Sequence, residues 1–167
     1  ETDVVSGFYV PEKGEVWYHS ERIDGLNPNE VFAKGIVRTF QTPRLFRSLT
    51  VLENLLLTPY PQRGEHPLRA LSPRAWHEEE EALAKKAVGL LERFGLLEYA
   101  NTRVSELSAA HMKLVETIRG LMTPARLFLL DEPAAGLEVT AAHNLFRLVR
   151  ELSNGYTFLV VEHRIEI

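Results

Sequence analysis

Two short apolar runs separated by one amphipathic segment constrain the fold of this chain more than any other feature. Residues 127–130 and 158–161 are wholly aliphatic or aromatic, as expected for strands that are covered on both faces of a parallel sheet. Between them, Leu145, Leu148 and Leu152 keep the spacing of one helix face. The pattern predicts a strand–helix–strand unit whose strands are parallel, so that their carboxyl ends meet at one edge of the sheet.

Charged residues follow both runs at that edge. Asp131 and Glu132 come after the first strand, and Glu162 and His163 come after the second. Two carboxylates at the end of a buried strand are costly to hold together unless a cation or a reaction uses them. We predict that Asp131 holds a hydrated magnesium ion and that Glu132 polarises a water for attack on a phosphoryl group. The alternative is an ordinary acidic loop with Pro133 as its turn residue.

The N-terminal third of the chain combines turn signals with β-rich segments. Residues 16–18 favour a short strand, and residues 27–29 favour a turn because they contain Asn, Pro and Asn. Residues 36–40 favour a second strand, which we expect to end at Gln41 before the helix-disfavouring Thr-Pro pair.

The middle third is predicted to be helical. Thr50 and Glu53 form a capping box before a short helix, and Pro73 begins a longer one. We interpret the acidic run 78–81 as the solvated first turn of that longer helix, the alternative being an acidic binding patch. Ser108 is predicted to cap a third helix. The sequence therefore indicates an α/β core interrupted by a helical insertion.

Composition excludes several classes of protein. A net charge of −4 and a pI near 5.9 give no basis for strong attraction to a nucleic-acid backbone. The longest aliphatic or aromatic runs have four residues, whereas a spanning helix needs about 20. Without cysteine, disulfides and thiolate metal sites are excluded.

The order and spacing of these features resemble the ATP-binding cassette (ABC) family, the nucleotide-binding subunits of ABC transporters. The resemblance implies that Gln41 is the Q-loop glutamine, which serves magnesium binding, catalysis and coupling, and that His163 is the switch histidine, which contacts the terminal phosphate. It also implies three segments: the signature loop at residues 107–111, the Walker B strand at residues 127–132 and the D-loop at residues 135–138.

The same resemblance implies a P-loop NTPase-like α/β core in residues 1–44 and 123–167, a helical subdomain in residues 45–122, and a small antiparallel β region near the N-terminus. It implies ATP and Mg²⁺ as cofactors, a second ATPase subunit in a homo- or heterodimer, permease subunits, no nucleic acid, and a peripheral place on the cytoplasmic face of the membrane. Residues 35–46 and 131–137 are most similar to importers of branched-chain amino acids.

Two departures from the family pattern matter. No G-x-x-x-x-G-K-[ST] loop occurs in the 167 residues, so the resemblance implies that the chain begins just after the P-loop. The resemblance also implies a further strand and helices after Ile167, so we expect the fold to be incomplete at both ends. The resemblance implies ATP hydrolysis as the reaction of the family, and the 167 residues do not include the loop that cradles the phosphates.

The second departure lies in the signature loop, which is expected to bind nucleotide. After Ser108 the chain has Ala109, Ala110 and His111, where the family usually has two glycines and a glutamine. Alanine retains the amide donor, but its Cβ restricts positive φ and close approach to a phosphate.

The leading hypothesis is the ATPase subunit of a membrane importer. The two alternatives are a non-transport ABC ATPase of translation or DNA repair, and an inactive remnant.

Overall fold

A computed structural model describes residues 2–39, 44–58 and 73–163, without the side chains of residues 73–78. The chain divides into two compact units, residues 1–43 with 125–167 and residues 44–124. Within the described ranges, no helix combines the length and the apolar character needed to cross a bilayer.

The elements follow in chain order: α1 (Thr2–Val5), β1 (Trp17–Tyr18), β2 (Glu21–Arg22), α2 (Pro28–Ala33), β3 (Ile36–Arg38), α3 (Val51–Leu56), α4 (Pro73–Arg93), 3-10 turns at Leu97–Tyr99 and Val104–Glu106, α5 (Ala109–Met122), β4 (Leu127–Asp131), α6 (Val139–Leu152) and β5 (Thr157–Val161).

A parallel three-stranded sheet, in the order β3–β4–β5, forms the centre of the first unit. The predicted strand–helix–strand unit is confirmed, since β4 and β5 are parallel and α6 connects them. The strand predicted for residues 36–40 is shorter, because β3 ends at Arg38. Phe40 and Gln41 lie outside the described residues.

Apolar packing covers this sheet. Ile23, Val31, Ile36 and Leu129 form one buried cluster of the first unit. The inward face of α6 is buried along its length, and consists of Ala142, Leu145, Leu148, Val149 and Leu152. Their spacing repeats every three to four residues, as expected for a helix with one apolar face.

A hairpin of β1 and β2 forms the small antiparallel region. His19 and Ser20 make its two-residue loop with φ of 47° and 64°, the left-handed conformation that such loops require. Arg22 pairs with Asp24 at 2.8 Å. The hydrogen bond from Arg22, followed by that from the Val16 amide, lowers the pKa of Asp24 to about 2.

Three mutually contacting helices, α3, α4 and α5, make up the second unit. Val51, Leu55, Leu91 and Ile118 are fully buried there. The predicted capping box is present. The Glu53 amide donates to Thr50 Oγ1 at 3.2 Å, and the Thr50 amide donates to Glu53 Oε2 at 2.7 Å.

Two local predictions are wrong. Residues 27–29 do not form a separate turn, because Asn27 caps α2 and forms a capping box with Glu30. Proline is tolerated at the first helical position, so Pro28 begins the helix. Residues 78–81 are not a first turn either, since α4 begins at Pro73 and its first turn has no acidic residue.

Candidate functional site

The carboxyl ends of β4 and β5 bring the charged residues of the predicted site together. Arg38 is the register partner of Leu129 on the neighbouring strand β3. Asp131 lies two residues further along β4 and therefore shares a sheet face with Leu129. Register and alternation thus place Arg38 and Asp131 on the same face.

Arg38 links two carboxylates at this edge. Its Nη2 lies 2.8 Å from Asp131 Oδ2, and its Nη1 donates to Asp3 of α1. The Thr2 hydroxyl also donates to Asp131 Oδ2, at 3.3 Å. Burial lowers the pKa of the Arg38 guanidinium, but the hydrogen bonds from Arg38 to Asp3 and Asp131 more than offset that effect and raise it.

Glu132 has a backbone conformation that is rare for residues other than glycine. Its φ is 47°, and its amide donates to the Val161 carbonyl at 2.8 Å. The Glu132 carbonyl accepts from the Ala135 amide at 3.1 Å, which closes the turn after β4. Left-handed residues of this kind cluster at functional sites, where the surrounding structure holds them in place.

His163 lies beside Glu132, as expected for residues that follow two neighbouring parallel strands. The His163 Nε2 atom is 3.3 Å from Glu132 Oε1. The histidine side chain is 80% exposed, whereas that of Glu132 is only 25% exposed. The adjacent Glu162 accepts from the Ala134 amide at 3.3 Å, and this bond connects the end of β5 to the turn after β4.

The carboxylates of Asp131 and Glu132 are of the type that binds a magnesium ion accompanied by a nucleotide. No group of three or more His, Asp or Glu side chains among the described residues could hold a metal by itself. Mg²⁺ is usually held by one or two carboxylates together with water and substrate phosphates, and does not need an all-protein cage. Asp131 has the right type of side chain and position for such a carboxylate.

The signature segment lies in the second unit, at the start of α5. Ser108 caps the helix as predicted, because its hydroxyl accepts from the His111 amide at 3.1 Å. Ala109 and Ala110 are the first helical residues, and neither has positive φ. The backbone here does not require a positive φ of these alanines, and the restricted approach of their methyl groups to a phosphate stays a prediction. The His111 ring lies 4.6 Å from that of Tyr99.

Gln41, the remaining predicted site residue, lies outside the described residues. Sequence reasoning missed Arg38 and Thr2, which both bind Asp131. Arg38 did carry a signal, namely a single cation in a predicted strand whose other residues are uncharged. Thr2 carried none, because its partner lies 129 positions away in the chain.

Comparison with known proteins identifies the group to which this arrangement belongs. The family model described as "ABC transporter" matches residues 2–135. A probable branched-chain amino acid transport ATP-binding protein, LivG, from Methanocaldococcus jannaschii is 41% identical over 166 residues. The alignment covers 99% of this chain and 64% of that relative. The predicted resemblance to the branched-chain group is thereby confirmed.

Two solved structures have the same fold. A nucleotide-free ATP-binding cassette from an ABC transporter matches with a TM-score of 0.76 and 40% identity, covering 99% of this chain and 65% of its own. A dimeric cassette in a post-hydrolysis state, bound to ADP and Pi, matches with a TM-score of 0.76 and 26% identity, covering 98% and 68%.

These matches confirm the predicted fold class, and the chain spans about two thirds of the cassettes that it matches. The parallel sheet and the helix that begins after Ser108 are thus parts of a known fold. The chain belongs to the ABC transporter family.

Proposed function

We propose that this chain is part of an ATP-binding and ATP-hydrolysing subunit that powers a membrane importer for branched-chain amino acids. The observation that carries the proposal is the Glu132–His163 pair at 3.3 Å, beside an Asp131 that is bound to Arg38. The name of the Methanocaldococcus jannaschii relative supports the transport role and the class of substrate.

In this proposal each residue at the charged edge has a separate role. Glu132 acts as the general base that polarises the attacking water, and His163 stabilises the terminal phosphate. Asp131 and Gln41 would hold magnesium. A bound Mg²⁺ would neutralise charge on the phosphates and orient them. Arg38 fixes the orientation of the Asp131 carboxylate through its hydrogen bond to Oδ2.

The second unit supplies the other half of the proposed reaction. Ser108, Ala109, Ala110 and His111 at the N-terminus of α5 contact ATP that is bound to a second ATPase subunit. The dimeric solved cassette supports this arrangement. We further propose that residues 1–44 and 123–167 form the α/β core and that residues 45–122 form the helical subdomain. The whole subunit binds permease subunits at the cytoplasmic face of the membrane.

The experiment uses a chimeric cassette, in which residues 1–167 replace the matching segment of the M. jannaschii relative. Glu132→Gln should lower the kcat of ATP hydrolysis by about 10²-fold or more, the scale on which general bases contribute, while it spares ATP affinity. Glu92→Gln is the matched control, because Glu92 is exposed on α4 and belongs to the second unit, whereas the charged edge belongs to the first.

Three outcomes would contradict the proposal. A parent chimera that binds ATP but does not hydrolyse it, while the relative does, would favour the inactive remnant. If Glu132→Gln keeps the parental rate and His163→Ala abolishes turnover, His163 organises the water instead. Leucine uptake into vesicles that carry the permease subunits of the relative tests the transport role, and hydrolysis that those permease subunits do not stimulate would favour a non-transport ATPase.

A further inference from the structure

Helix α5 binds the backbone of the first residue of the second unit. The Arg44 amide donates to Glu116 Oε1 at 3.0 Å, and Arg119 Nη1 donates to the Arg44 carbonyl at 2.5 Å. Both polar backbone groups of this residue are therefore bound by side chains of one helix. Residue 44 follows directly, in sequence, the segment 40–43 that contains Gln41.

A second buried side chain binds the backbone two residues further on. Asn54 Oδ1 accepts from the Phe46 amide at 2.8 Å, and Asn54 Nδ2 donates to the Phe46 carbonyl at 3.0 Å. Asn54 is only 1% exposed and also donates to the Thr50 carbonyl at 2.8 Å. The backbone at residues 44 and 46 is thus fixed to α5 and α3, respectively.

The geometry of α5 suits this task. Glu116 and Arg119 are three positions apart and lie on the same face of the helix. Glu116 is 9% exposed, although acidic residues are rarely buried without partners. Burial lowers the pKa of the Arg119 guanidinium, and the charge of Glu116 opposes this shift. The pair satisfies two opposite backbone groups of residue 44: the Glu116 carboxylate accepts from the N–H, and the Arg119 guanidinium donates to the C=O.

We propose that Glu116 and Arg119 are positioning residues that tether residue 44 to α5, so that a displacement of this helix moves the backbone three positions after Gln41. A helix transmits movement along its length as a rigid element. The helix that begins at the signature segment would in this way be coupled mechanically to the Gln41 segment. The tether stands on the contacts alone, and its role in hydrolysis rests on the proposed function.

Amide hydrogen exchange in the chain, followed by NMR, tests the tether. Glu116→Ala should accelerate exchange of the residue 44 amide by about tenfold or more, because the amide loses a charged acceptor. Glu116→Gln keeps an acceptor oxygen and should restore most of the protection. The Phe46 amide, held by Asn54, is the internal reference and should not change.

Thr117→Val is the matched control variant. Thr117 is the neighbour of Glu116 and is buried, but its hydroxyl donates only within α5, to the Lys113 carbonyl at 3.1 Å. Exchange at residue 44 should stay at the parental rate. If Glu116→Ala leaves a partly buried guanidinium that destabilises the fold, the double variant with Arg119→Ala removes that charge. Parental exchange at residue 44 in folded variants would overturn the tether.

ATP hydrolysis by the chimeric cassette tests the coupling. Glu116→Ala should lower kcat about tenfold, the scale of a small misplacement, and leave KM for ATP within about twofold, whereas Glu116→Gln and Thr117→Val should stay near the parent. Faster exchange with unchanged kcat would overturn the coupling. A parent chimera without hydrolysis would count against the proposed function, and the exchange result would still decide the tether.

Discussion

Arg38 is the residue on which the charge balance at the carboxyl end of β4 depends. It lies between Asp3 and Asp131, its side chain is 11% exposed, and the Phe8 ring centroid is 5.9 Å from its guanidinium. Without it, two carboxylates would lie near each other with no counter-charge between them. Removal of a partly buried arginine lowers stability mainly because it leaves the carboxylates that it paired with uncompensated.

Replacing Arg38 should therefore be costly. We expect Arg38→Ala to lower the free energy of unfolding by about 2 to 4 kcal/mol, a range that allows for the half-exposed Asp3 carboxylate. Arg38→Lys should lie between Arg38→Ala and the parent, because an ammonium keeps the charge but lacks the planar fork that binds two carboxylates. Urea denaturation of the chain measures both effects.

Arg147→Ala is the control for this prediction. Arg147 is exposed and pairs with Glu151 one helical turn away at 3.8 Å, a contact worth about 0.5 kcal/mol or less. If Arg38→Ala costs no more than Arg147→Ala, Arg38 does not hold the site together.

At the scale of elements, the junction between α1 and α2 depends on one glycine. Gly7 ends α1 with φ of 77°, and its amide donates to the Val4 carbonyl at 3.2 Å. A Cβ at this position would lie 2.5 Å from the Leu26 carbonyl oxygen and 3.1 Å from Val31 Cγ2. Both the conformation and the space therefore require glycine.

Gly14 allows these two effects to be separated. It has φ of 91°, but a Cβ there would meet no atom within 4 Å. We expect Gly14→Ala to cost about 1 to 2 kcal/mol of unfolding free energy from its φ alone. Gly7→Ala should cost about 1 to 3 kcal/mol more, because the backbone must also move away from the new methyl group. Equal midpoints in urea denaturation would contradict the close approach of α1 and α2.

At the scale of the whole molecule, the residues proposed for chemistry belong to two different units. Asp131, Glu132 and His163 lie in the first, and the Ser108 cap with the first turn of α5 lies in the second. In the proposed dimer, the second group serves the nucleotide of the partner. Ala109 and Ala110 are already helical, so any penalty from their methyl groups must come from contact with a phosphate and not from backbone strain.

The variant Ala109→Gly with Ala110→Gly and His111→Gln tests this penalty. If the methyl groups limit approach to the phosphate, ATP hydrolysis by the chimeric cassette should rise about two- to fivefold, the range given by about 0.3–1 kcal/mol for an anion at a helix N-terminus. Ala141→Gly in the first turn of α6 controls for the cost of glycine in a helix. Unchanged or lower turnover in the triple variant would show that this signature is adapted to its sequence.

The sequence by itself determined the features that depend on neighbours within a few positions. The caps at Thr50 and Ser108 arise from hydrogen bonds over three residues, and α6 arises from a repeat of apolar side chains. The proximity of Glu132 and His163 was also predictable, because consecutive strands joined by a helix are parallel and adjacent. These are local rules, and they need no knowledge of the remaining chain.

Only the tertiary structure decided the contacts that join distant segments. Arg38 meets Asp131 across 93 positions because strand order and register place them on one sheet face, and neither order nor register can be read from β3 alone. Glu116 accepts from the Arg44 amide across 72 positions because the packing of α5 determines which backbone groups lie near this helix. A buried charged side chain binds the polar group that the fold places within hydrogen-bonding distance. The three-dimensional fold therefore determines the partner, and the separation along the sequence does not.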